Sequence, residues 1–486
     1  KYHRITQKVL ITFYCCELEI LFNGWKYTKF CLASQRIKIK CIFVLHRERA
    51  KKFSNHKNIE FNLKKKVDNN VFGTTLQVNN IIANGVLKFG LDVEREIYRT
   101  RGVSLIEQRD NIVFSPTSLA AILAIVLAGS AGRTFDEASK VLGLEAGIDI
   151  SQNSEIVHQM FGVLLSQLQS KESAGILLPQ LNFATAAYVK TNVKEIYQTD
   201  IFNVDFARNG KGAEEMINMW VRQKTKGKIT SILNHVPGPG TAMILLSALY
   251  FNGEWDQYFL DRATKRPFFI EPNETVNVNM MYNGGTFPFY LDKKLGVKIV
   301  GFPYKGRELS MYVLLPTTPG AKALREFKNK LTVDIIENLI KNAKNETCVI
   351  GFPRMKLSTS LSLRPTLAAL GLESLFDPAT ADLSLISQSN AVTNMNNRNQ
   401  TNIKRVVANL VNPHLFATDV LQKVEMDITE KGTEAAAVTS VVLERDGSQK
   451  RFIANRPFIF FIRHDPSKLV LFWGTINVPT PNYPTT

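Results

Sequence analysis

After residue 41 this 486-residue chain has a single cysteine, Cys348; the others, Cys15, Cys16, Cys31 and Cys41, crowd the start. That distribution excludes a disulfide framework, and no CxxC pair offers a zinc site. Cys348, beside the strand-like Val349-Ile350, reads as a small core hydrophobe, compatible with either redox compartment. No run of 18 apolar residues occurs, so no helix is expected to span a membrane. Val9 to Phe22 is partly apolar, but Glu17 and Glu19 interrupt it and make it a poor signal peptide. Enzyme signatures are missing too: there is no GxSxG elbow, HExxH, P-loop or GxGxxG. The seven histidines (His3, His46, His56, His158, His235, His414, His464) have no ligand-like spacing. The residues therefore nominate no catalytic group, no metal and no cofactor.

Excess positive charge is confined to one place. The formal net charge is +17, but residues 1–70 hold 16 Lys/Arg against 5 Asp/Glu, which accounts for +11 of it. The rest of the chain has no basic stripe interleaved with aromatics, which argues against a nucleic-acid partner. Residues 1–72 are rich in Lys, Asn, Ile, Phe, Tyr and Cys, lack periodicity and close on Lys64-Lys65-Lys66. They read as a disordered basic extension or as translated AT-rich DNA foreign to the native protein, with a polyanion- or membrane-binding arm as the functional alternative.

From residue 73 onward order appears. Ile82, Val86, Phe89, Val93 and Ile97 fall at helical spacing, as do Ile156, Met160, Leu164 and Leu168. Ser115-Pro-Thr-Ser118 leads into an apolar helix from Leu119 to Leu127, the proline sitting where its missing N–H does no harm. Asn182 to Val189 is strand-like. Ile244–Phe251, Ser310–Leu315, Phe458–Ile462 and Leu469–Phe472 have the length and continuity of strands buried on both faces. Helices come early and strands late, which favours an α+β fold. Ser387 to Pro413 is an Asn-rich insertion of loop character, read as disordered.

Four blocks then carry a resemblance. They are Asn111-Ile-Val-Phe-Ser-Pro-Thr-Ser118; Ile217-Asn-Met-Trp-Val221 with Thr225-Lys-Gly-Lys-Ile229; Ala248-Leu-Tyr-Phe-Asn-Gly-Glu-Trp255; and Asp419 through Glu430-Lys-Gly-Thr-Glu-Ala-Ala-Ala437 to Arg456-Pro-Phe458. In this order and spacing the chain resembles an inhibitory serpin over about residues 73–483. The resemblance implies one domain (73–486) with a large central mixed sheet, smaller sheets, about nine helices and an exposed reactive-centre loop at 430–451. It implies a monomeric, non-enzymatic, secreted inhibitor that traps a serine protease covalently.

The loop can also be read physically. Gly432 permits a bend, and Thr433 to Leu443 then alternates strictly. Thr433, Ala435, Ala437, Thr439, Val441 and Leu443 share one face that could be buried throughout; Glu434, Ala436, Val438, Ser440, Val442 and Glu444 share the other. Small residues early in the segment suit a strand that slides between two others. The resemblance makes Glu430, Gly432, Thr433, Ala435, Ala436 and Ala437 the hinge. Counted from Glu430 or back from Pro457, the scissile bond is Asp446-Gly447; a loop one residue shorter makes it Arg445-Asp446. The Arg445 register, which pairs with the acidic pocket of a trypsin-like enzyme, is preferred. Leu443 and Lys450 remain as lesser sites.

Departures from the family are specific. Trp255 fits the breach where the loop enters. In the shutter below it, Ser247 stands where the family usually has Asn, and Gln422 where it has His, alongside Ser115 and Ser118. The longer Gln422 is expected to reach the shorter Ser247. Ser154 to Ser170 has no Lys or Arg, which argues against heparin activation through the fourth helix. Asn273, Asn345 and Asn399 head glycosylation sequons. Two other readings stay open: a non-inhibitory carrier, chaperone or storage serpin, and an intracellular inhibitor of an Asp-directed or cysteine protease.

Overall fold

The computed structural model describes residues 17–22, 25–32, 40–43, 80–100, 110–143, 180–186, 204–261, 263–384, 415–433, 450–481 and 483. The helical face at Ile156–Leu168, the 154–170 stretch and the 387–413 insertion lie outside them, as do Ala435, Ala436, Ala437, Arg445, Asp446, Gly447 and Asn399. The chain divides into two units between Gly73 and Thr74. In the first, β1 (Glu17–Phe22), β2 (Trp25–Leu32) and β3 (Lys40–Phe43) form an antiparallel sheet in that order.

The second unit is built on two sheets. Its first helix, α1, covers residues 80–100 and buries all five residues of the expected face, Ile82, Val86, Phe89, Val93 and Ile97. After β4 (Ile112–Phe114) comes α2 (Pro116–Gly129), capped by the Ser115 side chain accepting from the Ser118 N–H. Nearly every residue of α2 is buried, because it runs through the core rather than along a surface. The helix α3 (Gly132–Val141) follows. Then come β5 (Gln180–Ala186), α4 (Gly210–Lys224) and β6 (Ile244–Glu254).

The middle of the chain supplies β7 (Thr264–Glu271), β8 (Glu274–Asp292), β9 (Val297–Pro303) and β10 (Leu309–Pro316). Two short helices, α5 (Ala321–Lys330) and α6 (Val333–Asn342), precede β11 (Lys344–Pro353), β12 (Met355–Ser362) and α7 (Arg364–Ala369). The C-terminal part holds β13 (Asp419–Thr429), the two-residue β14 (Gly432–Thr433), β15 (Lys450–Ile453), β16 (Phe458–His464) and β17 (Leu469–Ile476). Seven α-helices thus stand among the described residues, and none is long and apolar enough to cross a membrane.

One sheet has nine strands, β15-β11-β8-β9-β10-β16-β17-β4, with β7 also on β8. Its centre follows the apolar runs: every residue of β10, β16 and β17 is buried. Cys348 is fully buried in β11, and loss of solvation there, with Glu346 nearby, pushes its thiol pKa up to about 12. The second sheet is mixed and has the order β12-β13-β14-β6-β5. Below β14, strands β13 and β6 pair directly and in parallel, from Asp419↔Ile244 to Glu425↔Tyr250. Over this seam lies α4, whose Ile217, Trp220 and Val221 pack with Ile229, Ile232, Leu233, Leu246 and Ala248, against Leu421.

Candidate functional site

The parallel seam between β13 and β6 is where chemistry and architecture converge. At its middle, Gln422 stands opposite Ser247, and with Ser115 and Ser118 both are essentially fully buried. Four buried polar side chains in an apolar core need complete partnership. Gln422 Oε1 accepts from the Ser115 N–H at 2.8 Å, while its Nε2 donates to Ser115 O at 3.2 Å and to Ser118 Oγ at 2.8 Å. Ser247 Oγ donates to the same Ser118 Oγ at 2.9 Å, and Ser118 Oγ donates on to Ser115 O at 3.3 Å. The expectation of a direct Gln422–Ser247 bond is corrected: the link runs through Ser118. A glutamine amide bonded to the Ser115 peptide and Ser118 leaves no reach for the second strand, so the helix hydroxyl supplies it.

At the top of the seam lies the region expected to be the breach. Trp255 is buried, stacked on Tyr304 at 4.5 Å and edge-on to Phe259 and Phe302. Its indole Nε1 donates to Thr429 O at 3.0 Å, and its backbone N–H to Lys431 O at 3.1 Å. The Phe259 N–H donates to Glu430 O at 2.8 Å. The β13–β14 turn is therefore tied on both sides to the segment that follows β6. Beside it, the Glu254 carboxylate takes Lys305 Nζ and the Tyr258 hydroxyl. Burial alone would raise the Glu254 pKa, but those bonds outweigh it and hold it below the usual carboxylate range.

Glu430 forms a buried ion pair with Arg354, Nη1 to Oε2 at 2.7 Å, with side chains 8% and 3% exposed. Removing one partner of such a pair is expensive, because the other charge stays buried. Arg354 went unnoticed in the sequence, although a lone cation inside the apolar Gly-Phe-Pro-Arg-Met run was a usable signal. Tyr483 was missed as well. Its hydroxyl donates to Asp427 at 2.9 Å, its carbonyl accepts from Asn279 Nδ2 at 2.6 Å, and its ring lies 5.4 Å from the Arg354 guanidinium.

The segment expected to be the hinge has Gly432 and Thr433 inside the sheet. Gly432 pairs with Thr429 on one side and Glu254 on the other, and Thr433 with Ile428 and Gly253, antiparallel to both neighbours. Gly432 has φ +153°, and a β-carbon there would meet Gly253 O at 2.2 Å and Glu254 Cα at 2.7 Å. Only glycine fits that approach. Asn273 and Asn345 are exposed on the β7–β8 turn and on β11.

A family model described as Serpin (serine protease inhibitor) matches residues 85–479. The chain belongs to the serpin family. It is 30% identical over 447 residues to serine protease inhibitor 28Dc of Drosophila melanogaster, covering 83% of this chain and 80% of that protein. Leukocyte elastase inhibitor of Bos taurus is 33% identical over 384 residues, 76% of this chain and 93% of that one. Among solved structures, Serpin48, "a highly specific serpin in the insect Tenebrio molitor", aligns with a TM-score of 0.66 at 26% identity, over 82% of this chain and 99% of that one. These relatives place this serpin in a family of protease inhibitors, and its mixed sheet and helices are the serpin fold.

Proposed function

We propose that this serpin inhibits trypsin-like serine proteases as a suicide substrate, with Arg445-Asp446 as the scissile bond and insertion of the freed loop between β13 and β6. The observation that carries this reading is the register of β14. Thr433 stands opposite Ile428; continuing antiparallel, Ala435 meets Met426, Ala437 meets Val424, Thr439 meets Gln422 and Val441 meets Val420. Those four partners, with Ile428, are the buried face of β13, whose burial alternates along its whole length. The small, apolar face of the loop thus falls on the core side, and its one mid-strand hydroxyl falls on the polar shutter. The start of β13 at Asp419 would be opposite Val442, so the slot takes the loop almost to Arg445.

Energetics support the same course. Insertion exchanges a parallel pairing for two antiparallel ones, adding ladder hydrogen bonds on both sides of the loop. Ordering the loop opposes this by roughly 1–2 kcal/mol per residue. The un-inserted form is then held by a barrier rather than by depth. Asn273 and Asn345 are exposed, so both sequons are open to glycosylation on a secreted chain.

The test mixes purified protein with trypsin, resolves the products on a denaturing gel and reads the C-terminal peptide by mass spectrometry. An SDS-resistant band near the summed mass, with a peptide beginning at Asp446, is expected. A peptide beginning at Gly447 moves the bond to Asp446 and the target away from trypsin-like enzymes. Complete cleavage with no trapped band and no rise in melting temperature would sink insertion itself.

A further inference from the structure

The last residues of the expected loop, 430–451, enter β15, an edge strand of the nine-stranded sheet that pairs, among the described residues, with β11 alone. Its first two residues, Lys450 and Arg451, are exposed. Two more cations gather nearby, Lys298 against the strand and Arg456 close to Lys298. Lys298 Nζ donates to Arg451 O at 3.0 Å, and Arg456 Nε donates to Pro316 O at 2.8 Å. Burial and the nearby Arg456 both push the Lys298 pKa down, as expected where positive charges gather without counter-ions. Among the described residues none of the four has an ion-pair partner; the acidic neighbour is Glu346 on β11, exposed near Cys348.

Position gives this charge a meaning. Lys450 follows Arg445 by five residues, so the two α-carbons are at most about 18 Å apart. A protease of about 230 residues has a radius of gyration near 17 Å and is roughly 45 Å across. An enzyme seated on that bond is therefore large enough to reach the β15 edge. We propose that the exposed Lys450 and Arg451, with Lys298 and Arg456 nearby, form a docking surface for an acidic patch on the leaving-group side of the target protease. This rests on the inhibitory reading above and adds the charge of the partner to it. Its contribution is mainly to encounter: complementary charge lifts association rates by 10-fold or more at low salt and fades as ions screen it.

Anionic and cationic trypsin share a specificity pocket but differ in net charge, which makes them suitable probes. Association rates of the full-length protein with each are measured between low and high ionic strength. The wild type is expected to react about 10-fold faster with the anionic enzyme at low salt, the gap closing at high salt. Lys450→Glu/Arg451→Glu is expected to reverse the preference while cleavage stays at the same bond. The milder Lys450→Ala/Arg451→Ala pair, which keeps the fold if the reversal harms it, is expected to abolish the preference. Equal rates in the wild type, or rates unmoved by both pairs, overturn the docking surface while leaving the trapped complex intact. Self-association of the variants with unchanged rates also overturns it, since the charges then only guard a sheet edge. Absence of any trapped complex with either trypsin would remove the inhibitory reading, and the docking surface with it.

Discussion

Gln422 holds one peptide group and one hydroxyl of the α2 entry at once, and so pins the β13 side of the seam to the helix behind it. Gln422→Ala strands the Ser115 N–H and leaves Ser118 with a single strand partner, at about 1–3 kcal/mol for an unsatisfied buried group. A lower melting temperature and faster heat-induced loss of inhibitory activity are expected; an unchanged thermal scan would show that water replaces the amide without loss. No member of this network titrates near neutrality. Acid sensitivity should come instead from His464, buried with Nδ1 on Ser467 Oγ at 2.7 Å. Burial lowers its pKa, with Glu308 and Asp465 pulling the other way. The unfolded chain then binds the proton more readily, so His464 contributes stability above about pH 6.5 that is lost as pH falls. Burial raises the Asp465 pKa from its ordinary value, which acts in the opposite sense: its contribution is present at low pH and is lost as pH rises. Melting curves from pH 7 to 5.5 should fall for the wild type and flatten for His464→Gln. The sequence made Ser115, Ser118, Ser247 and Gln422 recognisable as a set, because three lie within a block of known order and Ser247 stands one residue before another. Their wiring was not legible, since Ser118 and Ser247 are 129 positions apart and meet only in the fold.

Among the elements, those with one dominant physical signal were readable in advance. The α1 face, α2, β10, β16 and β17 all carry uninterrupted or strictly periodic apolar residues. By contrast β8 runs 19 residues from an exposed Glu274 through Gly284-Gly285, serving three neighbours, β7, β11 and β9, in turn, and its burial follows no single period. The strands β7 and β11 likewise begin with four exposed residues each, which masks the strand. The shortest element, β14, is fixed by one residue. Gly432→Val drives a side chain into Gly253 O and Glu254, so the two-residue wedge should be expelled from the seam. On the proposed mechanism, insertion without that nucleus would lose the race against deacylation. The variant should then be turned over by trypsin as an ordinary substrate, with little SDS-resistant complex; wild-type trapping by Gly432→Val would show that the wedge is dispensable.

At the scale of the whole molecule, sequence order alone carried the architecture, because four blocks in a fixed order constrain a topology that no single element could. It could not show that the reactive loop divides the chain so unevenly in space. A cut after Arg445 leaves residues 446–486 as a separate chain containing β15, β16 and β17. Yet β16 and β17 lie between β10 and β4, fully buried, as neighbouring strands of the larger sheet. On the proposed cut, the molecule becomes two chains that stay joined through the β10–β16 and β17–β4 ladders. Its small subunit can leave only when the large one unfolds, so the half-life of the pair is the unfolding time of the whole core.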